Sequence, residues 1–439
     1  MKNKVAINGF GRIGRNAFKI AFERPDIEIV AVNDLTDTKT LAYLLKHDST
    51  YGAYHHDVSF DDQNIIVNGQ SIKVLAEKDP AALPWKDMGV DVVIESTGFF
   101  VDPDKARAHI KAGAKRVVIS APAKGDSADS APTVVLGVND DQLKDVKDVV
   151  SNASCTTNCI TPVAGVIENA FGVDKLMMTT IHSYTASQHL QDGPGKNLRE
   201  DRAGAQNITP TTTGASIAAA KALPALKGIF GALEVRVPTP VVSLADFAIV
   251  TKRAVTVEEV NEAFKKAAKD PFYQGILDVT EEELVSTDFI GNSHSAIVDL
   301  PLTSVVGGNL LKVVAWYDNE WGYSNRLVEI TADVARLVSG SPPSAGQTGG
   351  MMPSPTSSDN QQSESPRPEP QREGMLEAPK PESFLPSMGE ETNRPVHNAT
   401  EDNAHVEGQP GLSTPPIDSG TPPVFPNTPP AGPDQPHQF

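Results

Sequence analysis

Apolar and polar positions in the first part of the chain follow two alternating patterns. Short, nearly continuous apolar runs are typical of strands buried on both faces of a sheet, and apolar residues three and four apart are typical of helices. The strand-like runs are residues 5–8, 27–32, 91–94 and 116–119, and the helical stretches are residues 12–22 and 103–112. Strands that alternate with helices predict a parallel sheet with right-handed crossovers, in a first domain that ends near Ser151.

A different pattern follows Ser151. Longer strand candidates predominate, and the helices are grouped between them, which favours an α+β domain with a mostly antiparallel sheet. The strand candidates are residues 175–181, 231–237, 241–251, 295–300 and 310–317, with helices at 257–269 and 324–338. We therefore predict an α/β chain with a Rossmann-type domain (1–151), a catalytic domain (152–318) and a C-terminal helix (319–339) that packs back on the first domain.

Composition changes the picture after residue 340. Most of the 35 prolines lie in residues 340–439, where Ser, Glu, Asn and Gly are common and apolar residues are rare. Such a segment cannot bury enough apolar surface to offset its ordering entropy, so the composition predicts a disordered tail. Its Pro-Pro pairs favour extended segments that could dock in an aromatic groove, although a solvating appendage without a partner fits the composition better.

Charge and cysteine content narrow the class of protein. A formal charge of −18 opposes nucleic-acid binding, because phosphate neutralisation needs clustered Lys and Arg. No stretch of 18 apolar residues predicts a membrane span, and the N-terminus lacks a signal-type apolar region. Only Cys155 and Cys159 are present, and no matching pair of histidines accompanies them, so we expect a cytoplasmic protein with free thiols and no metal site.

A glycine-rich segment predicts a dinucleotide site. Gly9-Phe10-Gly11-Arg12-Ile13-Gly14 follows a strand and opens a helix. Gly9 would permit the tight turn, Gly11 would let the backbone approach a pyrophosphate, and Gly14 would allow close helix packing. Asp34 ends the next strand, where its carboxylate can accept ribose hydroxyls and repel a 2′-phosphate, which favours NAD over NADP. A role in a turn with Asn33 is the alternative for Asp34.

A cysteine stands where a polar loop turns into a helix. In Ser151 to Cys159, the amides of the helix N-terminus would stabilise a Cys155 thiolate, and the imidazole of His182 would lower the thiol pKa further. Cys159, one helical turn later, is expected to face inward. From spacing alone, buried and unreactive roles for Cys155 and His182 are equally compatible with the sequence.

At these residues the chain resembles the glyceraldehyde-3-phosphate dehydrogenase family, from Lys4 to about Val338. The segments that carry the resemblance are residues 8–15, 151–158, 179–185, 210–215, 236–239 and 316–320. The resemblance implies oxidation of glyceraldehyde 3-phosphate by NAD to an acyl phosphate, with Cys155 as nucleophile and His182 as general base. It also implies that inorganic phosphate attacks the thioester formed at Cys155.

The resemblance further implies roles for the remaining site residues. Thr185 and Arg236 would bind one phosphate, and Ser154, Thr156, Thr213 and Gly214 would line the other. Asn319 would bond the nicotinamide carboxamide, with Arg12, Ile13 and Ser120 also near the cofactor.

The segment 183–206 resembles the family's long loop, which covers the neighbouring cofactor site in a homotetramer. Its Asp192-Gly193-Pro194 fits the NAD-using branch. One departure stands in this loop, because many family members carry an arginine where this chain has Glu200.

Two alternatives to this reaction remain. Erythrose-4-phosphate dehydrogenase is a close relative, but it typically lacks the threonines that match Thr185 and Thr213. An added scaffold role through the tail is the second alternative. The physiological direction of the reaction does not follow from the sequence.

Overall fold

The computed structural model describes residues 2–341. The predicted tail, apart from Gly340 and Ser341, lies outside the described residues. Among the described residues, no helix is both long enough and apolar enough to cross a membrane.

In chain order, the first half contains β1 (Asn3–Asn8), α1 (Arg12–Phe22), β2 (Ile27–Asn33), α2 (Thr38–Lys46), β3 (His47–Asp48), β4 (Gly52–Ala53), β5 (Val58–Phe60), β6 (Asn64–Val67), β7 (Gln70–Leu75), α3 (Trp85–Met88), β8 (Val92–Glu95), α4 (Pro103–Ala106), α5 (Ala108–Lys111), β9 (Arg116–Ile119) and β10 (Val149–Ser151). The second half contains α6 (Cys155–Phe171), β11 (Val173–Ser183), β12 (Thr209–Thr211), α7 (Ala215–Ala222), β13 (Phe230–Val237), β14 (Ser243–Thr251), α8 (Val257–Ala268), β15 (Leu277–Thr280), β16 (Ala296–Asp299), β17 (Ser304–Val306), β18 (Leu310–Tyr317) and α9 (Trp321–Val338).

The first sheet has the order β10-β9-β8-β1-β2-β7-β6-β5. The six strands from β10 to β7 are parallel, which confirms the predicted parallel sheet. Because the chain proceeds outward in opposite directions from β1, the carboxyl ends of β1 and β8 border the crevice in which such sheets bind ligands.

The antiparallel edge formed by β5, β6 and β7 was not predicted from the sequence. Asn68 and Gly69 form the two-residue turn between β6 and β7, and both have positive φ angles, 47° and 80°. Asn-Gly between two short β-prone segments is a strong hairpin signal, so this edge was predictable from the residues.

The second sheet runs β12-β13-β11-β14-β18-β16-β15, with β17 also paired to β18. The β11–β13 and β15–β16 pairs are parallel, whereas the other pairs are antiparallel. The mostly antiparallel sheet is therefore confirmed. In the parallel pair, His182 of β11 stands beside Arg236 of β13, which brings two residues far apart in sequence to the same end of the sheet.

Two large apolar cores support these sheets. One joins the first sheet to α1 and α9, and the other joins the second sheet to α6 and α8. Cys155, the first residue of α6, packs against both cores. The reactive cysteine of the predicted site therefore lies where the two halves of the chain meet.

Candidate active site

The glycine-rich turn after β1 is shaped by steric limits. Gly9 has φ +91°, and a Cβ there would lie 2.6 Å from the Thr97 amide nitrogen. A Cβ at Gly14 would lie 2.1 Å from the Gly9 carbonyl oxygen, so α1 starts too close to the turn for any side chain. Gly11, by contrast, has no heavy atom within 4 Å of the equivalent position. The space beside Gly11 is where a pyrophosphate can approach the amides at the start of α1, so this cradle fits a dinucleotide.

Asp34 is tied to the glycine-rich turn. Its Oδ2 accepts the Phe10 N–H at 2.9 Å, and its Oδ1 accepts the Thr36 N–H at 3.0 Å. The carboxylate is only partly buried, so it can still meet ribose hydroxyls. Asp34 thus holds the backbone of the glycine-rich turn through Phe10, a contact that the sequence did not suggest, and its bond to Thr36 is a local turn contact of the kind named as the alternative.

The other predicted cofactor residues surround the same edge of the first sheet. Ser120 directly follows β9, and Ile13 packs against the apolar core beside α1. The guanidinium of Arg12 is already engaged: Nε lies 3.1 and 3.0 Å from the two Glu320 oxygens, and Nη1 lies 2.9 Å from Asp48. Arg12 thus links the glycine-rich turn to the segment before α9 instead of presenting a free cation.

A buried polar network below the turn escaped the sequence analysis. Trp85 Nε1 donates to His109 Nδ1 at 3.0 Å, so the ring proton of His109 is on Nε2, which lies 3.1 Å from Glu95 Oε2. The same carboxylate accepts Asn8 Nδ2 at 2.6 Å and the Thr97 N–H at 2.8 Å. These bonds fasten the ends of β1 and β8 together. The available signal was a polar residue closing each of two apolar strands.

The thiol site begins at a capped helix. Ser154 is the N-cap of α6, where its Oγ accepts the Thr157 N–H at 3.1 Å. Cys155 Sγ lies 3.5 Å from His182 Nε2. His182 Nδ1 lies 2.7 Å from the Ser183 carbonyl oxygen, which can only accept, so Nδ1 carries the proton. The unprotonated Nε2 therefore faces the sulfur, in the position that a general base requires.

The electrostatics of this pair differ from the prediction. Burial and the carboxylate of Glu234 raise the pKa of Cys155 to about 12, although the helix N-terminus and imidazole had predicted a lowered thiol pKa. Burial also lowers the pKa of His182. The prediction of a lowered thiol pKa is wrong because it considered the stabilising groups near Cys155 but neither its desolvation nor Glu234. Both pKa shifts favour the uncharged forms of the two side chains, a thiol beside an imidazole.

The turn before Cys155 contains a strained residue. Ala153 has φ +56°, a conformation uncommon for residues with a Cβ, and its carbonyl oxygen accepts the Tyr323 hydroxyl at 3.0 Å. This turn directs Cys155 toward the junction of the two cores.

Cys159, the second cysteine, is buried. It has 0% exposure and lies in the core of the second half, where it has no access to a substrate.

Tyr317 packs against His182 and contacts Thr156, the residue next to Cys155. Its hydroxyl lies 3.0 Å from Thr156 Oγ1 and 2.9 Å from Thr180 Oγ1, and its ring contacts that of His182 edge-on at 6.0 Å between centroids. Thr156, predicted to line a phosphate site, therefore uses its buried hydroxyl within the protein. Nothing in the local sequence indicated this contact, because it joins residues 161 positions apart.

Asn319 is fixed through its side-chain oxygen. Oδ1 accepts the hydroxyls of Ser183 at 3.0 Å and Ser243 at 3.2 Å. The NH₂ group is then the end of the amide that can donate to a carboxamide oxygen. Asp318 shapes the same turn, where its Oδ1 accepts the backbone N–H of Glu320 at 3.0 Å. Ser183 and Ser243 hold the Asn319 side chain in this orientation, and neither contact was predicted from the sequence.

Three of the predicted phosphate-binding residues lie at helix starts. Ser154 caps α6, Gly214 is the N-cap of α7, and Thr213 Oγ1 accepts the Ala215 N–H at 3.2 Å. Helices α6 and α7 pack against each other, so these groups stand at the starts of two contacting helices. Such termini favour anions through their free amides and their dipoles.

Arg236, predicted to bind the other phosphate with Thr185, is held by two carboxylates. Its Nε donates to Glu234 Oε1 at 2.8 Å, and its Nη1 lies 3.2 Å from Glu200 Oε2. Thr185 Oγ1 lies 3.0 Å from Ser187 Oγ, which also accepts Arg236 Nη1 at 2.8 Å. The predicted residues are brought together, but the guanidinium fork already has acidic partners.

Comparison with known proteins agrees with this arrangement. Residues 3–103 match the family model described as glyceraldehyde 3-phosphate dehydrogenase, NAD binding domain, and residues 154–319 match that described as its C-terminal domain. The chain is 52% identical to glyceraldehyde-3-phosphate dehydrogenase of Geobacillus stearothermophilus over 336 residues, covering 76% of this chain and 99% of the relative. It is 50% identical over 337 residues to glyceraldehyde-3-phosphate dehydrogenase 1 of Bacillus subtilis, with the same coverage.

Proposed function

The chain belongs to the glyceraldehyde 3-phosphate dehydrogenase family and is an NAD-dependent oxidoreductase, and from this premise we propose that Cys155 and His182 are its catalytic pair. The reaction expected of the family converts D-glyceraldehyde 3-phosphate, NAD and inorganic phosphate to 1,3-bisphosphoglycerate and NADH. The observation that carries the proposal is the 3.5 Å approach of Cys155 Sγ to an unprotonated His182 Nε2.

The pair is suited to base-assisted attack. As the sulfur bonds to the aldehyde carbon, its proton passes to His182 Nε2. The attack can therefore begin from the neutral thiol, even though the pKa of Cys155 is raised. The Cys155 amide, at the first position of α6, can donate to the developing oxyanion, as can the imidazolium. NAD bound at the glycine-rich turn would supply the hydride acceptor for oxidation of the hemithioacetal to a thioester. Inorganic phosphate then attacks the thioester carbon, the carbon–sulfur bond breaks, and the acyl phosphate is released while the Cys155 sulfur recovers its proton from His182.

We further propose which residues bind the cofactor and the two phosphates. For NAD we propose Gly9, Gly11, Arg12, Ile13, Gly14, Asp34, Ser120 and Asn319. For the two phosphates we propose Ser154, Thr156, Thr185, Thr213, Gly214 and Arg236. The supporting facts are the steric cradle at Gly9 and Gly14, the fixed amide of Asn319 and the positions of Ser154 and Gly214 at helix starts.

We also propose that the enzyme is cytoplasmic and that it forms a homotetramer. In the loop 183–206, Leu190 and Leu198 are 82% and 88% exposed. Large apolar side chains so exposed support burial against a second copy of the chain.

We further propose that the chain divides into domains 1–151 and 152–318; the separate cores and the packing of α9 against α1 support this division. For residues 340–439, composition alone supports an appendage that takes no part in catalysis.

The deciding experiment is an NADH-formation assay on the full chain. Glyceraldehyde 3-phosphate and erythrose 4-phosphate are each offered with NAD or NADP, with and without phosphate. We expect turnover that requires phosphate, prefers NAD and prefers glyceraldehyde 3-phosphate. Phosphate-independent oxidation, or a preference for erythrose 4-phosphate, would overturn the proposed reaction.

A further inference from the structure

The acidic surroundings of Arg236 set this site apart from a simple phosphate-binding arginine. The side chains of Arg236, Glu234 and Glu200 are only 13%, 11% and 19% exposed. One guanidinium and two carboxylates leave the group with one formal negative charge. Because partial burial lowers the effective dielectric constant, that charge acts strongly on any anion brought to Arg236.

These contacts also use the N–H groups of Arg236 that a phosphate would need. A guanidinium binds an anion with two parallel N–H groups, either along the Nε edge or between its two terminal nitrogens. Glu234 takes Nε, which closes the first fork. Glu200 and Ser187 take Nη1, which closes the second. A phosphate therefore has to displace Glu234, Glu200 or Ser187 before Arg236 can bind it at two points.

The carboxylate of Glu200 is surrounded by hydrogen-bond donors, as a bound anion would be. Its Oε2 lies within 3.2 Å of Ser187 Oγ as well as Arg236 Nη1. Its Oε1 accepts Asn197 Nδ2 at 2.8 Å and Thr211 Oγ1 at 2.5 Å. Ser187 in turn bonds Thr185. Glu200 thus lies where the two predicted phosphate contacts, Thr185 and Arg236, converge.

We infer that Glu200 and Glu234 are specificity-determining residues. By neutralising Arg236 they weaken the preference for an aldehyde that carries a phosphate dianion over one that carries an uncharged hydroxyl. Repulsion of the wrong ligand is as effective a route to selectivity as attraction of the right one. The inference rests on the proposed function, since it takes Arg236 as a contact for the substrate phosphate.

The test compares two aldehydes in the full chain. The specificity constant kcat/KM is measured for glyceraldehyde 3-phosphate and for unphosphorylated glyceraldehyde, with NAD and inorganic phosphate held fixed. The ratio of the two constants is the readout, because changes in thiol reactivity affect both substrates and cancel. The variants are Glu200→Gln and Glu234→Gln, and Glu283→Gln is the matched control, because it removes the same charge from an exposed position.

We expect the ratio to rise on the order of tenfold in Glu200→Gln and in Glu234→Gln, since each removes one like charge from the phosphate's position. The control should stay within about twofold of the wild type. A ratio unchanged in both variants would overturn the inference while leaving the proposed function intact. Absence of NADH formation from either aldehyde in the wild type would instead overturn the proposed function. If Glu200→Gln loses the loop fold, Glu234→Gln decides alone, because Glu234 belongs to a strand and not to the loop.

Discussion

The glycine-rich turn and the thiol site obtain their chemistry by opposite means. The turn uses backbone shape: glycines within six consecutive residues leave space and amides for a dinucleotide, and Gly9 and Gly14 tolerate no Cβ. The thiol site uses side chains from distant segments, such as Cys155 and His182, 27 positions apart, and Ser183 and Asn319, 136 apart. A function built from shape is local and intolerant of added atoms, whereas one built from side chains is tuned by neighbouring charges such as Glu234.

Replacement of the nucleophile gives the largest expected effect. Cys155→Ser should reduce kcat by roughly a thousandfold or more, because serine cannot form the thioester and the catalytic pair acts as a unit. NAD binding, measured by calorimetry, should persist. Cys159→Ser is the matched control, since Cys159 is buried in the core and should contribute only to packing. Similar losses of kcat in both variants would show that the assignment of the nucleophile is wrong.

Two glycine substitutions test whether shape alone governs the turn. Gly14→Ala should lower the free energy of unfolding by about 1–3 kcal/mol, because its Cβ overlaps the Gly9 carbonyl oxygen. Gly11→Ala should leave stability nearly unchanged yet weaken NAD binding by about tenfold, because the added methyl occupies the pyrophosphate approach. Chemical denaturation and calorimetry separate the two effects. Equal stability losses in both variants would contradict the proposed division between packing and ligand approach.

The choice between NAD and NADP tests the negative charge of Asp34, which is bonded to the glycine-rich turn. The wild type should prefer NAD over NADP by well over tenfold, and Asp34→Asn should reduce that preference about tenfold by removing the repulsion of a 2′-phosphate. Asparagine is chosen because its oxygen can still accept the Phe10 N–H that Asp34 accepts now. The measurement is the ratio of kcat/KM for the two cofactors. A wild type that uses both equally well would refute this role for Asp34.

The smallest effect concerns the tuning of the thiol. Glu234→Gln removes a negative charge that raises the pKa of Cys155, so the thiolate forms at lower pH. Iodoacetamide alkylation of Cys155 at pH 8 should become about three- to tenfold faster, and its pH profile should move to lower pH. Glu283→Gln serves again as the control. An unmoved alkylation profile would show that Glu234 does not act on the thiol.

The sequence predicted the local features well because their physics is local. The strand–turn–helix around Gly9 and the helix start at Cys155 depend on neighbours in the chain, and both formed as expected. The direction of the Cys155 pKa was wrong, because burial and Glu234 come from the assembled fold. The contacts of Tyr317, the network around Glu95 and the pairing of Arg236 with Glu200 were missed for the same reason. The β6–β7 hairpin is different, since Asn68 and Gly69 marked it in the sequence.

The most direct test of the central claim is to trap the acyl group on the wild-type enzyme. The full chain is mixed with glyceraldehyde 3-phosphate and NAD in phosphate-free buffer, quenched in acid, digested and examined by mass spectrometry. We predict a phosphoglyceroyl group on the peptide that contains Cys155, formed together with NADH and lost when phosphate is added before the quench. An unmodified Cys155 despite NADH formation, or an acyl group on a different residue, would contradict the account.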